Sequence, residues 1–213
     1  MYTVICYGDS NTWGYNPETG ERFDENTRWT ALLQKKLGEQ YHVIECGLNG
    51  RTTSFDDHFR DYQNGRRGLG YSLMESKPID LLIISLGTND LKFAGAVGSA
   101  KGLDSLLRAA KNSAILDSSN CSVFKGEEKI LVVSPIYLGE ELDSNINSSF
   151  YGKYQDSLRL AELYRPICEK HHVQMLDASR YAEASQADHI HMGAESHAKL
   201  AEAIFGKVKE MLA

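Results

Sequence analysis

Tyr2-Thr-Val-Ile-Cys-Tyr-Gly8-Asp9-Ser10-Asn11 begins as an apolar, β-branched run, breaks at a glycine, and leaves a hydroxyl where the strand ends. In an open parallel α/β sheet, ligands and reactive groups collect in the crevice beyond the carboxyl ends of the strands. Ser10 is therefore a candidate nucleophile. Gly-Asp-Ser is also ordinary turn chemistry, in which glycine supplies unusual backbone angles while Asp and Ser bond nearby amides. Only the rest of the chain can separate the two readings.

The same pattern recurs downstream. Arg28 to Leu37 reads as a helix whose Trp29, Leu32, Leu33, Lys36 and Leu37 make one mostly apolar face, stopped by Gly38. Tyr41 to Cys46 reads as a second strand and runs into Gly47-Leu-Asn-Gly50-Arg-Thr-Thr53. Ile79 to Leu86, almost continuously apolar, has the character of a central parallel strand and ends in Gly87-Thr88-Asn89-Asp90. Between these, Ser54 to Gly70 looks irregular. Its piece Asn64-Gly-Arg-Arg-Gly-Leu-Gly70 lacks the preceding strand that a phosphate cradle needs and reads as a surface loop, with a short helical turn from Tyr71 to Ser76.

Gly102 to Leu116 fits an amphipathic helix, Lys129 to Ser134 a buried strand closed by Pro135, and Ile136 to Ser149 a long loop. Phe150 to His172 reads as a long helical segment kinked at Pro166, and Val173 to Leu176 as a fifth strand ending at Asp177. Ala187-Asp188-His189-Ile190-His191-Met192-Gly193 then leads into a last helix. Strands alternating with helices predict a five-stranded parallel sheet with right-handed crossovers, a three-layer αβα sandwich forming one domain over residues 1–213.

Composition excludes several classes. With 42% hydrophobic and 24% charged residues the chain is globular in character, and it contains no apolar run near the roughly 18 residues a membrane span needs. A net charge of −6 supplies no basic field for nucleic acid. The first strand begins at Tyr2 without a basic, apolar leader, so a cytoplasmic location is expected. Cys6, Cys46, Cys121 and Cys168 are scattered without metal-ligand spacing, and Cys6, Cys46 and Cys168, among apolar neighbours, read as buried reduced thiols.

Ser10, Gly50, Asn89 and the Asp188/His191 pair thus converge on one edge of one sheet. Acyl transfer at neutral pH needs such groups: a hydroxyl, an imidazole to take its proton, a carboxylate to orient the imidazole, and donors for the developing oxyanion. Other readings stand beside this one. Asp188, His189 and His191 are plausible metal ligands, and His171-His172 near a helix end suits a solvated or carbonyl-bonding role. Trp13 and Tyr15 either pack the loop after Ser10 or wall an acyl site.

With these residues in view, the chain resembles the SGNH, or GDSL-type, hydrolases. The likeness runs through Gly8-Asp9-Ser10-Asn11, the Gly47 to Thr53 turn, Gly87-Thr88-Asn89-Asp90 and Asp188-His189-Ile190-His191. Gly8-Asp-Ser-Asn-Thr-Trp-Gly14, Arg28-Trp29 and Leu86-Gly-Thr-Asn-Asp90 are similar to the bacterial arylesterase and acyltransferase branch. The resemblance implies a flavodoxin-like fold, Ser10 as nucleophile, His191 as general base and Asp188 as its orienting carboxylate. It also implies an oxyanion hole from the Ser10 and Gly50 backbone amides and the Asn89 side chain, with Asp9 holding the turn. Two positions depart from the family's pattern: His189, which introduces a rival base, and Asn11, where leucine or isoleucine is frequent.

The implied activity is hydrolysis of short-chain, acetyl-type esters through an acyl-enzyme, with a small ester as partner and no metal or organic cofactor. Sugar deacetylation and acyl transfer to an alcohol or peroxide are the alternatives within enzymes, and a non-catalytic carbohydrate-binding module is the rival outside them. The resemblance also points toward a homo-oligomer. Ile136, Tyr137, Leu138, Leu142 and Phe150, in or beside the long loop, suit either an interface or a flap over the pocket.

Overall fold

The computed structural model describes residues 1–113 and 121–213, so the end of the expected helix Gly102 to Leu116 lies outside the described residues. β1 (Tyr2–Gly8), β2 (Tyr41–Gly47), β3 (Leu81–Ser85), β4 (Ile130–Ser134) and β5 (Gln174–Asp177) form one parallel sheet in the order β2-β1-β3-β4-β5. Helices cover both faces, which makes the fold the expected three-layer αβα sandwich. The chain winds in one direction from β1 to β2 and in the other from β1 to β3. The crevice where loops diverge therefore opens at the carboxyl ends of β1 and β3, immediately before Ser10 and Asn89.

Alternation along the strands divides the core in two. Val4 and Cys6 of β1, Leu81 and Ile83 of β3, and Leu131 and Val133 of β4 face α2 (Trp29–Leu37) and α7 (Ala194–Met211). Ile5 and Tyr7, Leu82 and Ile84, and Val132 face α3 (Gly65–Ser76), α4 (Leu91–Asn112) and α6 (Leu160–Lys170). Each fully buried Leu or Ile of these strands contributes on the order of 2 kcal/mol of apolar transfer. The strands thereby hold the loops at their carboxyl ends to a rigid frame.

Three boundaries differ from the sequence reading. The glycine-rich piece after Asn64 is not a loop: α3 starts at Gly65, capped by the Asn64 side chain, which accepts the Arg67 N–H at 3.3 Å. A Cβ at Gly65 would lie 2.4 Å from the Thr52 carbonyl and one at Gly68 2.9 Å from the Tyr7 hydroxyl, so these glycines serve close packing. Likewise α4 begins at Leu91, eleven residues before the expected Gly102, and tolerates a non-helical Gly95. The expected single helix after Phe150 is α5 (Tyr154–Leu158) and α6, separated at Arg159, with Pro166 lying inside α6.

The long loop folds inward. Ile136, Leu138, Leu142 and Phe150 are all buried within this chain, and a 3-10 turn spans Glu140–Ser144. Among the described residues no helix is long and apolar enough to cross a membrane.

α7 also buries an imidazole. His197 is fully enclosed; its Nδ1 accepts the Trp29 N–H at 3.2 Å and Phe23 packs edge-on at 5.4 Å. Burial, and next the neighbouring His191, push its pKa down to about 4. Because an unfolded chain takes that proton near pH 6.5, the contribution is present above about pH 6.5 and is lost as pH falls toward about 4, a loss of roughly 3 kcal/mol. Asp9 and Asp90, raised by burial, act in the opposite direction, so the test compares a variant with wild type at each pH. The melting-temperature gap between wild type and His197→Gln is expected to be wide at about pH 7 and to narrow toward about pH 4.5. A gap independent of pH would show that His197 is not held neutral.

Candidate active site

The turn after β1 is built by its own side chains. Asp9 accepts the Asn11 N–H at 3.0 Å and caps a single helical turn, α1 (Ser10–Trp13), which Gly14 ends in the left-handed conformation. Asp9 is buried, and burial pushes its pKa up to about 6 despite that amide and the nearby His191. Asn11, the residue that departs from the family pattern, is also buried, and its Oδ1 accepts the Met192 N–H at 2.9 Å. The turn that carries Ser10 is thereby tied to the loop that precedes α7.

That loop is wound around a carboxylate. Asp188 Oδ1 accepts the N–H groups of Ile190 and His191, both at 2.9 Å, while Oδ2 lies 2.5 Å from His191 Nδ1. Burial raises the Asp188 pKa, but the His191 ring and the two amides outweigh it and leave it below the usual carboxylate range. A carboxylate only accepts, so Nδ1 carries the proton and Nε2 presents its lone pair. Nε2 lies 2.8 Å from Ser10 Oγ. Ser10, His191 and Asp188 are thus brought into one hydrogen-bonded line, and the Tyr15 ring tilts over the imidazole with centroids 4.3 Å apart.

Gly50 and Asn89 enter the same cavity from the ends of β2 and β3. Gly50 adopts φ +81°, a left-handed conformation that favours glycine, and a Cβ there would sit 2.5 Å from the end of the Gln63 side chain. Arg51 beside it donates to the carbonyls of Gly8, at 2.7 Å, and Cys46, with its guanidinium 4.0 Å above the Tyr7 ring. The Asn89 carboxamide is held from both ends: Nδ2 donates to the Arg51 carbonyl at 3.2 Å, and Oδ1 accepts from Lys92 Nζ at 2.7 Å. Asp90 joins the two segments by accepting the Thr53 N–H and hydroxyl, and burial pushes its pKa up to about 7.

The cavity measures about 260 Å³ and is lined by Ser10, Asn11, Tyr15, Asn49, Gly50 and Arg60, and from the far side by Thr88, Asn89, Lys92, Phe150, Ile190 and His191. Trp13 is not among them: its ring faces the Arg22 guanidinium at 5.5 Å and its carbonyl accepts from Arg22 Nε at 2.7 Å. His189 is turned away as well, its Nδ1 3.2 Å from Glu141, so it does not meet Asp188 and His191 around a common point. Among the described residues no group of three or more His, Cys, Asp and Glu has a metal-holding arrangement. His171 pairs with Asp104 at 2.7 Å, remote from the cavity lining. Sequence reasoning passed over Lys92, Arg60 and Ile190. Lys92 had a signal in standing three residues after Asn89, the spacing at which helical side chains meet.

Residues 6–199 match the model of the GDSL-like lipase/acylhydrolase family. Among solved structures, a carbohydrate acetylesterase family member from Sinorhizobium meliloti superposes with a TM-score of 0.91 at 36% identity, covering 100% of this chain and 99% of that one. The native aryl esterase of M. smegmatis gives a TM-score of 0.91 at 32% identity, covering 99% of this chain and 100% of that one. At 18% identity and a TM-score of 0.69, a lipase/acylhydrolase from Enterococcus faecalis shares the fold, covering 99% of this chain and 96% of the other. A comparison with curated proteins finds no match. A match over residues 6–199, together with full-length similarity to solved esterases, places the chain in the GDSL-like lipase/acylhydrolase, or SGNH, family of carboxylic-ester hydrolases.

Proposed function

We propose that the protein is a serine esterase that cleaves short-chain, acetyl-type esters through an acyl-enzyme. The observation that carries this reading is the line Asp188–His191–Ser10, with contacts of 2.5 and 2.8 Å. His191 Nε2 takes the Ser10 proton as Oγ attacks the ester carbonyl, and the imidazolium formed is stabilised by Asp188. The developing oxyanion is bound by the backbone amides of Ser10 and Gly50 and the side-chain amide of Asn89. Ser10 heads α1, where backbone N–H groups have no partner within the helix. His191 then protonates the leaving alkoxide and later activates water to release the acid.

The walls support a small acyl group. Tyr15, Phe150 and Ile190 line a cavity of about 260 Å³, which suits acetyl better than a long chain. A fluorophosphonate is expected to label Ser10, located by peptide mass spectrometry, and aryl acetate is expected to turn over faster than aryl octanoate. An active, folded enzyme whose adduct lies elsewhere would sink the serine mechanism, and preference for octanoate would sink the acetyl assignment.

A second reading, in which the acetyl group is borne by a sugar, is favoured by one feature. Arg60 also lines a neighbouring groove of about 750 Å³ with Tyr62, Tyr71, Asp56, Asp57 and Asp61, a mixture of aromatic faces and carboxylates suited to a polyhydroxylated leaving group. Acetylated sugars assayed beside aryl acetate separate the two readings by kcat/KM.

A further inference from the structure

We propose that Lys92 is a positioning residue for the oxyanion hole, acting through Asn89. The inference rests on the esterase reading above and assigns a role that the triad and the oxyanion donors leave open.

An Asn carboxamide has two ends of nearly identical shape, and only the end bearing N–H can stabilise an oxyanion. Reversed, Asn89 would aim a carbonyl oxygen at the developing negative charge and repel it. Two neighbours of opposite character decide the orientation. The Lys92 ammonium has only hydrogens to give, and at 2.7 Å it forces Oδ1 toward itself. The Arg51 carbonyl can only accept, and at 3.2 Å it takes one hydrogen of Nδ2. Both contacts select the same rotamer. One N–H of the amide is then spent on Arg51 and the second remains for the cavity that Asn89 shares with Ser10 and Gly50.

Lys92 is itself fixed. It stands in the first turn of α4, its ammonium 4.7 Å from the centroid of the Phe150 ring. Burial lowers its pKa. A charged donor also polarises the amide it bonds, which strengthens the opposite N–H as a donor. Lys92 thereby links three elements: the strand end that carries Asn89, the helix that follows it, and the Phe150 wall of the acyl cavity.

A purely structural lysine, present only to offset the buried Asp9 and Asp90, would behave differently. Its removal would lower the melting temperature and affect Asn89-containing and Asn89-free enzymes alike. The test is therefore a double-mutant cycle on aryl acetate. Lys92→Met is expected to lower kcat about ten-fold, the order of one hydrogen bond to a charged group, while KM changes less than about two-fold. In an Asn89→Ala background the same substitution is expected to change kcat by less than about two-fold, because the amide it orients is gone. Lys92→Arg, which restores a cationic donor, is expected to recover most of the loss.

Wild-type kcat in Lys92→Met, or equal losses with and without Asn89, would overturn the inference. Should Lys92→Met fail to fold, Lys92→Gln carries the same cycle with a polar end in place of the charge. Failure of the esterase reading is distinguishable. If fluorophosphonate does not label Ser10 and aryl acetate is not turned over, that reading falls first; if Ser10 labels but Asn89→Ala keeps full kcat, the oxyanion role of Asn89 falls and the role of Lys92 with it. If Ser10 labels and Asn89→Ala is impaired while Lys92→Met is not, only the role of Lys92 falls.

Discussion

Ser10→Ala is expected to lower kcat for ester hydrolysis by on the order of 10⁴–10⁶ while leaving the fold intact. The hydroxyl it removes is bonded at 2.8 Å to His191 Nε2 and lines the cavity rather than the apolar core. His191→Ala is expected to cost a similar factor, since a neutral hydroxyl without its base is a weak nucleophile. The double variant is expected to be little worse than either single one, because both deletions remove the same chemical step. Steady-state kinetics on aryl acetate, with melting curves as a check on folding, measure all three. If the losses multiply, the two residues act independently and the proton relay is not the mechanism. Loss in His189→Ala with full activity in His191→Ala would transfer the role to the imidazole that the structure places beside Glu141.

The second large effect concerns charge stabilisation. Asn89→Ala is expected to lower kcat by about 10²–10³, the loss of one preorganised oxyanion donor, with KM little changed. The split follows from the chemistry. A ground-state carbonyl oxygen carries little charge, so the amide contributes mostly once the tetrahedral adduct forms. An Asn89→Ala enzyme that loses KM instead of kcat would show that the side chain binds substrate uniformly.

Much of this arrangement was legible in the residues. Where a strand ran into a glycine, as at Gly8, Gly47 and Gly87, the β-branched run and the break marked both the element and its functional end. The helices beside the site were harder. Gly65, Gly68 and Gly70 in α3 and Gly95 and Gly98 in α4 lower local helix propensity by about 1 kcal/mol each, so the sequence reads as loop up to Gly70 and, after β3, gives no helix before Gly102. Tertiary packing overrides it. A Cβ at Gly102 would collide with the Thr53 side chain and one at Gly65 with the Thr52 carbonyl, so the glycines mark where two helices press against the turn carrying Gly50. Trp13 and Tyr15 stand two residues apart, yet only Tyr15 reaches the cavity. Composition and order cannot distinguish them, because the separation depends on how the chain leaves the left-handed Gly14. The bond between Lys92 and Asn89 depends in the same way on the turn between β3 and α4.

The sheet order has a consequence for the timing of activity. Ser10 follows the first strand, and that strand lies in the interior of the sheet between β2 and β3. His191 and Asp188, its base and orienting carboxylate in the proposed mechanism, stand 181 and 178 residues later, in the loop before α7. As the chain leaves the ribosome, the hydroxyl is made before the imidazole that would activate it. Under the proposed mechanism, Ser10 therefore stays an unactivated alcohol until the 181 residues up to His191 have been made. Under that mechanism, reactivity toward esters requires the Asp188–His191 loop to have closed on the turn after β1, through the His191–Ser10 and Met192–Asn11 contacts.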